Sequence, residues 1–165
     1  GHTDFSPDTP EELELKRYLD NRHTVATTKE TIASGTGLVT TFNAICRIRG
    51  VNSKIEHGSE LPSKLAHENP KDVRDAAEWT LELFAETLGK CAAETVLTMG
   101  ARTVFITGGV IPKLGENFLK PVFTRAFHKN DLGRNNTVTD TPVVLVTHPQ
   151  PGLLGAHAYL KLENI

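Results

Sequence analysis

The stretch VFITGGVIP, residues 104–112, places a short β-branched apolar run directly before a glycine pair and a helix-like segment. This order is typical of open α/β folds, which bind ligands at the carboxyl ends of their strands. Gly108 and Gly109 lack a Cβ, so a planar ring or a phosphate could approach their backbone closely. A tight turn without a ligand has the same residues, and this stretch alone leaves both interpretations open.

The strand-then-turn pattern returns near the C-terminus. VVLVTHPQPG, residues 143–152, is an apolar run followed by proline and glycine, and residues 153–162 have the pattern of a closing helix. Between the two strands, residues 110–127 predict a helix that Pro121 should kink or split. Alternation of strands and helices indicates an α/β sheet with packed helices.

The first hundred residues predict helices. Thr9 can cap a helix whose first position is Pro10, and Glu12 completes an S/T-x-x-E capping box. Apolar spacing predicts a second helix after residue 35, a short one over 61–67 and the longest over 70–99. The remaining segment, residues 50–62, is interpreted as a loop.

A second glycine turn, ASGTGL at residues 33–38, leads into the second helix. Open amides at Gly35 and Gly37, with nearby hydroxyls, could meet a polar ligand, or Ser34 could simply cap the helix. Neither glycine turn has the spacing of a Walker A loop or of G-x-G-x-x-G. Glu30 lies in a polar segment just before the turn, and His2 lies near the N-terminus; neither residue identifies a site by itself.

Composition excludes several classes of protein. The chain has 165 residues, 38% of them hydrophobic, which fits one globular domain. A formal net charge of -2 argues against nucleic-acid or anionic-membrane partners, and no apolar run approaches membrane-spanning length. Cys46 and Cys91 are expected to be buried free thiols, which points to the cytoplasm. The seven histidines do not have the spacing of a structural zinc site.

Together these segments resemble the bacterial-type glucokinases, which are ATP-dependent hexose kinases with an actin-like (ribonuclease H-like) fold. The family's motifs occur here in the family's order and cover nearly the whole chain. They are GHTDFSP at residues 1–7, ETIASGTGL at 30–38, VFITGGVIP at 104–112 and VVLVTHPQPGLLGAHAYL at 143–160.

The resemblance implies that the chain is the C-terminal half of a two-lobed kinase. Residues 1–148 would belong to the large lobe, an α/β unit with a mixed sheet, and residues 149–165 would return to the small lobe. The final helix should then be poorly anchored, with Leu153, Leu154 and Leu160 exposed. The family's phosphate loops and its general-base Asp lie upstream of the residues that match this chain.

The resemblance also implies an activity: transfer of the γ-phosphoryl group of ATP, with Mg²⁺, to the 6-hydroxyl of glucose. His2 and Glu30 would bind sugar hydroxyls. Gly108 and Gly109 would lie against the adenosine, with a supporting role for Gly35 and Gly37. No catalytic residue and no metal ligand is expected in these 165 residues, so they should be inactive alone.

Other functions remain open on the sequence. The chain could belong to a non-catalytic, sugar-sensing relative or to a kinase of another hexose. It could also be an oligomerisation domain whose glycines only form turns. Besides glucose and ATP, the expected partners are the N-terminal half of the same protein and a second copy in a homodimer.

Overall fold

The computed structural model describes residues 2–22, 25–114, 116–129 and 137–162, without the side chains of residues 116–119. Its elements are α1 (Pro10–Asp20), α2 (Lys29–Ile32), α3 (Gly35–Arg49), a 3₁₀ turn (Gly58–Glu60), α4 (Leu61–Lys64), α5 (Lys71–Met99), β1 (Val104–Ile106), α6 (Ile111–Leu114), α7 (Glu116–Lys129), β2 (Val143–Leu145) and α8 (Pro151–Leu162).

Helix α1 begins as the sequence predicts, with one difference in its cap. The Thr9 hydroxyl accepts a hydrogen bond from the Glu12 amide at 3.1 Å, and Pro10 occupies the first turn. The Glu12 carboxylate, however, accepts from the amide of Asp8 at 2.8 Å instead of that of Thr9. The reciprocal bond therefore reaches one residue further back than the capping-box pattern predicts.

Helix α5 is the centre of the molecule and packs against α2, α3, α4 and α7. Buried apolar side chains of α1, α3 and α5 form the larger core cluster; Leu15, Phe42, Ile45 and Leu81 are almost inaccessible to solvent. A smaller cluster joins the end of α5 to α7 and the segment before β2 through residues such as Val96, Phe127 and Val138. Burial of this apolar surface is the main force that stabilises the fold.

Within the helix predicted over residues 110–127, the described residues are helical in α6 and α7, and residue 115 between them lies outside the described residues. The sequence predicts that Pro121 kinks or splits the helix: the split is wrong, because α7 continues through Pro121, and the kink stays a prediction. Pro121 lies near the start of α7, where its missing N–H removes one bond. Buried Val122, Ala126 and Phe127 then anchor the remainder of the helix.

Strands β1 and β2 form a parallel pair in which Val104, Phe105 and Ile106 face Val143, Val144 and Leu145. Both predicted strands are confirmed. Within the residues that the structure describes, the sheet has two parallel strands, and a mixed sheet stays a prediction.

Helix α8 has no buried residue, although its sequence is rich in leucine. The prediction that Leu153, Leu154 and Leu160 are exposed is confirmed. The apolar surface of α8 is thus left facing solvent in this chain.

Both cysteines are free thiols, but only Cys46 is fully buried, while Cys91 is partly exposed. Burial raises the pKa of both thiols, which keeps them protonated near neutral pH. Among the described helices, none is both long enough and apolar enough to cross a bilayer.

Helices α5 and α7 pack closely at Gly89, where there is no room for a side chain. A Cβ at this position would lie 2.6 Å from the Phe123 carbonyl oxygen and 3.0 Å from the Ala126 Cβ. We expect Gly89→Ala to push the helices apart and to lower the free energy of unfolding by about 1–3 kcal/mol, measured by urea denaturation.

The matched control is Gly155→Ala in α8, where a Cβ would meet nothing within 4 Å. This change should leave the free energy of unfolding unaltered or slightly higher, since alanine is the better helix former. Equal stability of the two variants would contradict the close packing of α5 on α7.

Candidate functional site

His2 and Glu30 lie on the same face of the molecule, with His2 Nδ1 3.7 Å from Glu30 Oε2. Their side chains are 93% and 54% exposed, respectively, so both are available to a ligand. They line one open hollow of about 410 Å³. The structure therefore brings together the two residues that the family resemblance assigns to a sugar.

Backbone pairing holds His2 in this place. The Phe5 amide donates to the Thr27 carbonyl at 3.0 Å, and the Lys29 amide donates to the Thr3 carbonyl at 2.9 Å. These bonds form a short antiparallel bridge, residues 3–5 with 27–29, centred on Asp4 and Thr28. The buried Phe5 side chain anchors the first strand of the bridge in the core.

Glu30 lies on the one-turn helix α2, not in the polar loop that its surroundings in the sequence predict. Two threonines make this turn: the Thr28 hydroxyl accepts from the Thr31 amide at 3.3 Å, and the Thr31 hydroxyl accepts from the Thr28 amide at 3.1 Å. An ion pair between Lys29 and Glu94 of α5 ties the same turn to the core.

The glycine turn before α3 is a helix cap with a close backbone approach. The Ser34 hydroxyl accepts from the Gly37 amide at 2.9 Å. A Cβ on Gly37 would lie 2.6 Å from the Thr31 carbonyl oxygen and 2.7 Å from that of Ile32. Glycine is thus required at position 37 by contact with α2, whether or not a ligand is present.

Gly35 has a different surrounding from Gly37. A Cβ at Gly35 would lie 3.6 Å from the Val110 Cγ2 atom, which is ordinary contact. Gly35 therefore connects the glycine turn with the segment that follows Gly108 and Gly109.

A second hollow, of about 510 Å³, lies between that turn and the glycine pair. Gly109 lines it, whereas Gly108 does not. Gly108 has φ +121°, a conformation that side-chain-bearing residues rarely adopt. A Cβ on either glycine would meet nothing within 4 Å, so the space beside the pair is open to a ligand.

Thr36 connects the two hollows, because it lines both of them. His2 and Glu30 thus lie on one side of the N-terminal turn of α3, and Gly109 lies on the other. Two hollows that share a lining residue can hold two small molecules next to each other.

Sequence reasoning missed several residues that line these hollows. Thr40, one helical turn after Thr36, lines the first hollow, and their i, i+4 spacing is the signal that could have identified it. His57 and Ser59, from a segment interpreted only as a loop, line the second hollow together with Lys113. Such a loop offers no periodic pattern from which its position could be predicted.

Charge near the antiparallel bridge is balanced. Hydrogen bonds from Thr27, together with the nearby Lys16 ammonium group, hold the pKa of Asp20 below its usual value. The Asp20 carboxylate accepts from the Thr27 amide at 2.7 Å. In the described ranges no three His, Cys, Asp or Glu side chains are grouped so that they could hold a metal ion.

Comparison with protein families identifies relatives along nearly the whole chain. The family model described as Glucokinase matches residues 1–163. Glucokinases of Yersinia pestis and Yersinia pseudotuberculosis are 35% identical over 173 aligned positions, which cover 98% of this chain and 48% of each relative. The chain thus spans about half the length of these relatives.

Two solved structures are also similar. A glucokinase from an Antarctic psychrotroph aligns with a TM-score of 0.77 and 27% identity, over 98% of this chain and 48% of its own. A glucokinase from Balamuthia mandrillaris, in complex with glucose, aligns with a TM-score of 0.69 and 18% identity. The alignment covers 90% of this chain and 42% of that one. At this lower identity the second likeness shows the fold alone.

The two glycines of the α3 turn should respond differently to alanine. Gly37→Ala places a Cβ against two carbonyl oxygens, so we expect a loss of about 1–3 kcal/mol in the free energy of unfolding. Gly35→Ala, with only the Val110 contact, should lose less than about 1 kcal/mol. Thermal and urea unfolding of both variants measures the difference, and a larger loss for Gly35→Ala would contradict the geometry.

Stability should fall in acid partly through Asp20. Because its pKa is lowered in the folded protein, its contribution is present above its ordinary pKa of 3.8 and is lost as pH falls below that value. Asp20→Asn should therefore have a lower melting temperature than the parent at pH 7, and the gap should narrow at pH 3.

A suitable control for Asp20→Asn is Asp75→Asn, which removes an exposed ion pair with Lys71 on α5. An exposed pair contributes little, so the melting temperature should stay near that of the parent at both pH values. If the melting temperature of Asp20→Asn differed from that of the parent by the same amount at pH 3 and pH 7, the carboxylate charge would not contribute to stability.

Proposed function

The chain belongs to the glucokinase family, and on this premise we propose that it forms half of a kinase that transfers the γ-phosphoryl group of ATP to the 6-hydroxyl of glucose. The observation that carries the proposal is the shared hollow in which His2 and Glu30 lie side by side. The matching family model and the 35% identical relatives are glucokinases, which supports a sugar as the ligand.

The two side chains of this hollow suit sugar hydroxyls. An ionised Glu30 can accept hydrogen bonds from two hydroxyl groups, and the His2 imidazole can donate to one oxygen and accept from another. Charge-assisted hydrogen bonds of this kind are strong, and a site built for hydroxyls rejects analogues that lack them. We therefore assign His2 and Glu30 to glucose binding.

We assign the second hollow to the nucleotide. The open space at Gly108 and Gly109 is where a planar base or ribose could lie directly against the backbone. Gly35 lines this hollow together with Val110 of the adjoining segment, so its role is to support this wall. Gly37 is assigned a structural role, because its missing Cβ makes room for backbone oxygens of α2.

ATP would supply the phosphoryl group that is transferred. Mg²⁺ would accompany ATP, and among the described residues no three His, Cys, Asp or Glu side chains are grouped to hold it. What these residues do is bind and orient: Glu30 and His2 fix the sugar, and the wall at Gly109 fixes the nucleotide. Positioning of this kind is a large part of phosphoryl-transfer catalysis.

The other half of the protein would complete the cleft. By resemblance to the family it would carry the general-base Asp and the phosphate loops, and α8 would pack on it through Leu153, Leu154 and Leu160. We propose that residues 149–165 are this return segment. The free thiols of Cys46 and Cys91 favour a reducing, cytoplasmic location.

The proposal is tested in a full-length protein that contains this chain, by coupled assay of glucose 6-phosphate. Glu30→Gln should raise the KM for glucose about 10- to 100-fold, which corresponds to the loss of one hydrogen bond to a charged group, and should leave the KM for ATP nearly unchanged. Gly109→Ala should raise the KM for ATP and spare that for glucose, because its Cβ enters open space that only the nucleotide would fill.

Two further samples sharpen the result. Glu78→Gln changes an exposed carboxylate of α5 that does not line the first hollow, and both KM values should stay the same. The 165-residue chain by itself should show no turnover. An unchanged KM for glucose in Glu30→Gln would remove Glu30 from the site, and tight glucose binding by a full-length protein without turnover would favour the sugar-sensing alternative.

A further inference from the structure

Lys16 of α1 contacts both strands of the antiparallel bridge. Its ammonium group donates to Asp4 Oδ1 at 2.7 Å on the first strand and to the Thr27 carbonyl at 3.4 Å on the second. Asp20, one turn further along α1, lies 3.6 Å from the same ammonium group. The Lys16 side chain is only 16% exposed, which is unusual for a lysine unless it is paired.

In the sequence, the residues that Lys16 contacts lie close to His2 and Glu30, which line the first hollow. Asp4 is two residues after His2, and Thr27 is three residues before Glu30. The His2 side chain is almost fully exposed, so its own packing does not determine where it lies. Its position depends on the backbone of residues 3–5, which Lys16 holds through Asp4.

We propose that Lys16 is a positioning residue of the sugar site, which holds residues 3–5 against residues 27–29 so that His2 faces the same ligand as Glu30. The inference rests on the proposed function, because it concerns the sugar site of that kinase.

The two strands of the bridge are anchored unequally. The second strand continues into α2, which the Thr28 and Thr31 caps and the Lys29–Glu94 ion pair fix. The first strand is held by the buried Phe5 side chain, by its bridge bonds and by Lys16 through Asp4, and a single bridge of this length is marginal in water without such further contacts. Loss of Lys16 should therefore loosen residues 3–5 and displace His2, while Glu30 keeps its position on α2.

Charge repulsion adds to this effect. Lys16 lies between the Asp4 and Asp20 carboxylates, and without it two negative charges would face each other with no cation between them. Because like charges at short range repel, the Asp4 segment would be pushed away from α1. The displacement acts on the strand that carries His2.

The first test is the KM of the full-length protein for each substrate. Lys16→Met should raise the KM for glucose about tenfold, within the ~10²-fold that a misplacement of 1 Å can cost, and should leave the KM for ATP unchanged. Lys16→Arg, which keeps a cation in place, should recover most of the affinity. Lys71→Met removes an exposed lysine from the Lys71–Asp75 pair and should change neither KM value.

The second test asks whether Lys16 acts through His2. The effects of Lys16→Met and His2→Ala on the KM for glucose should be far from additive, because His2 is already displaced in the first variant. The effects of Lys16→Met and Glu30→Gln should be close to additive. Additive effects of Lys16→Met and His2→Ala would overturn the proposal.

Amide hydrogen exchange supplies a readout that does not depend on activity. Phe5 and Lys29 donate the two bonds of the bridge, and their amides should exchange faster in Lys16→Met and at the parent rate in Lys16→Arg. Should Lys16→Met fail to fold, Asp4→Asn removes the same ion pair from the other side and should give smaller changes in the same direction, because it leaves no repulsion between residues 4 and 20.

The outcomes separate this inference from the proposed function. Faster exchange with an unchanged KM for glucose would overturn the positioning role of Lys16 and leave the kinase proposal standing. Equal rises in the KM for glucose and for ATP would also overturn it, since they indicate a general structural effect. A full-length protein that neither binds nor phosphorylates glucose would overturn both proposals.

Discussion

The pairing of residues 3–5 with residues 27–29 is the contact on which the candidate site depends. Two backbone hydrogen bonds join a segment that carries His2 to the segment that leads into Glu30. Neither side chain is buried, so neither could hold the other without this pairing. Phe5 in the core and Lys16 on α1 stabilise the pair from two sides, and α5 supports α2 through Glu94.

Helix α5 gives this arrangement a rigid base. It contacts α2 and α3 on one side and α7 on the other, and α7 approaches it over Gly89. The glycines therefore have two physical roles in this protein. Gly37 and Gly89 allow close approach of backbone to backbone, whereas Gly108 and Gly109 leave space open at the end of β1. Gly108 and Gly109 leave open space for a ligand, and Gly37 also lines the first hollow.

Exposed apolar surfaces agree with a chain that spans about half the length of its relatives. Helix α8 exposes its leucines, and Phe105 and Val144 lie exposed on one face of the two-stranded sheet. Parallel sheets are normally covered on both faces. These surfaces are suited to contact with further polypeptide, which fits the proposal that this chain is one side of a cleft.

Local features were predictable from the sequence because neighbouring residues make them. The Thr9 and Ser34 caps, the two strands and the long helix α5 all depend on short-range hydrogen bonding and on hydrophobic periodicity. The motifs also indicate the family, because their residues and their order can be read directly from the sequence. Where a local preference was weak, as for the polar segment around Glu30, the reciprocal threonine cap and the ion pair to α5 decided the outcome.

The tertiary structure alone decided which distant residues meet. The distance between His2 and Glu30, the role of Lys16 and the position of the loop around His57 depend on contacts between segments far apart in the chain. No local propensity encodes such contacts, because they follow from how helices of given shape pack around one core. For the same reason the continuity of α7 through Pro121 became clear only in three dimensions.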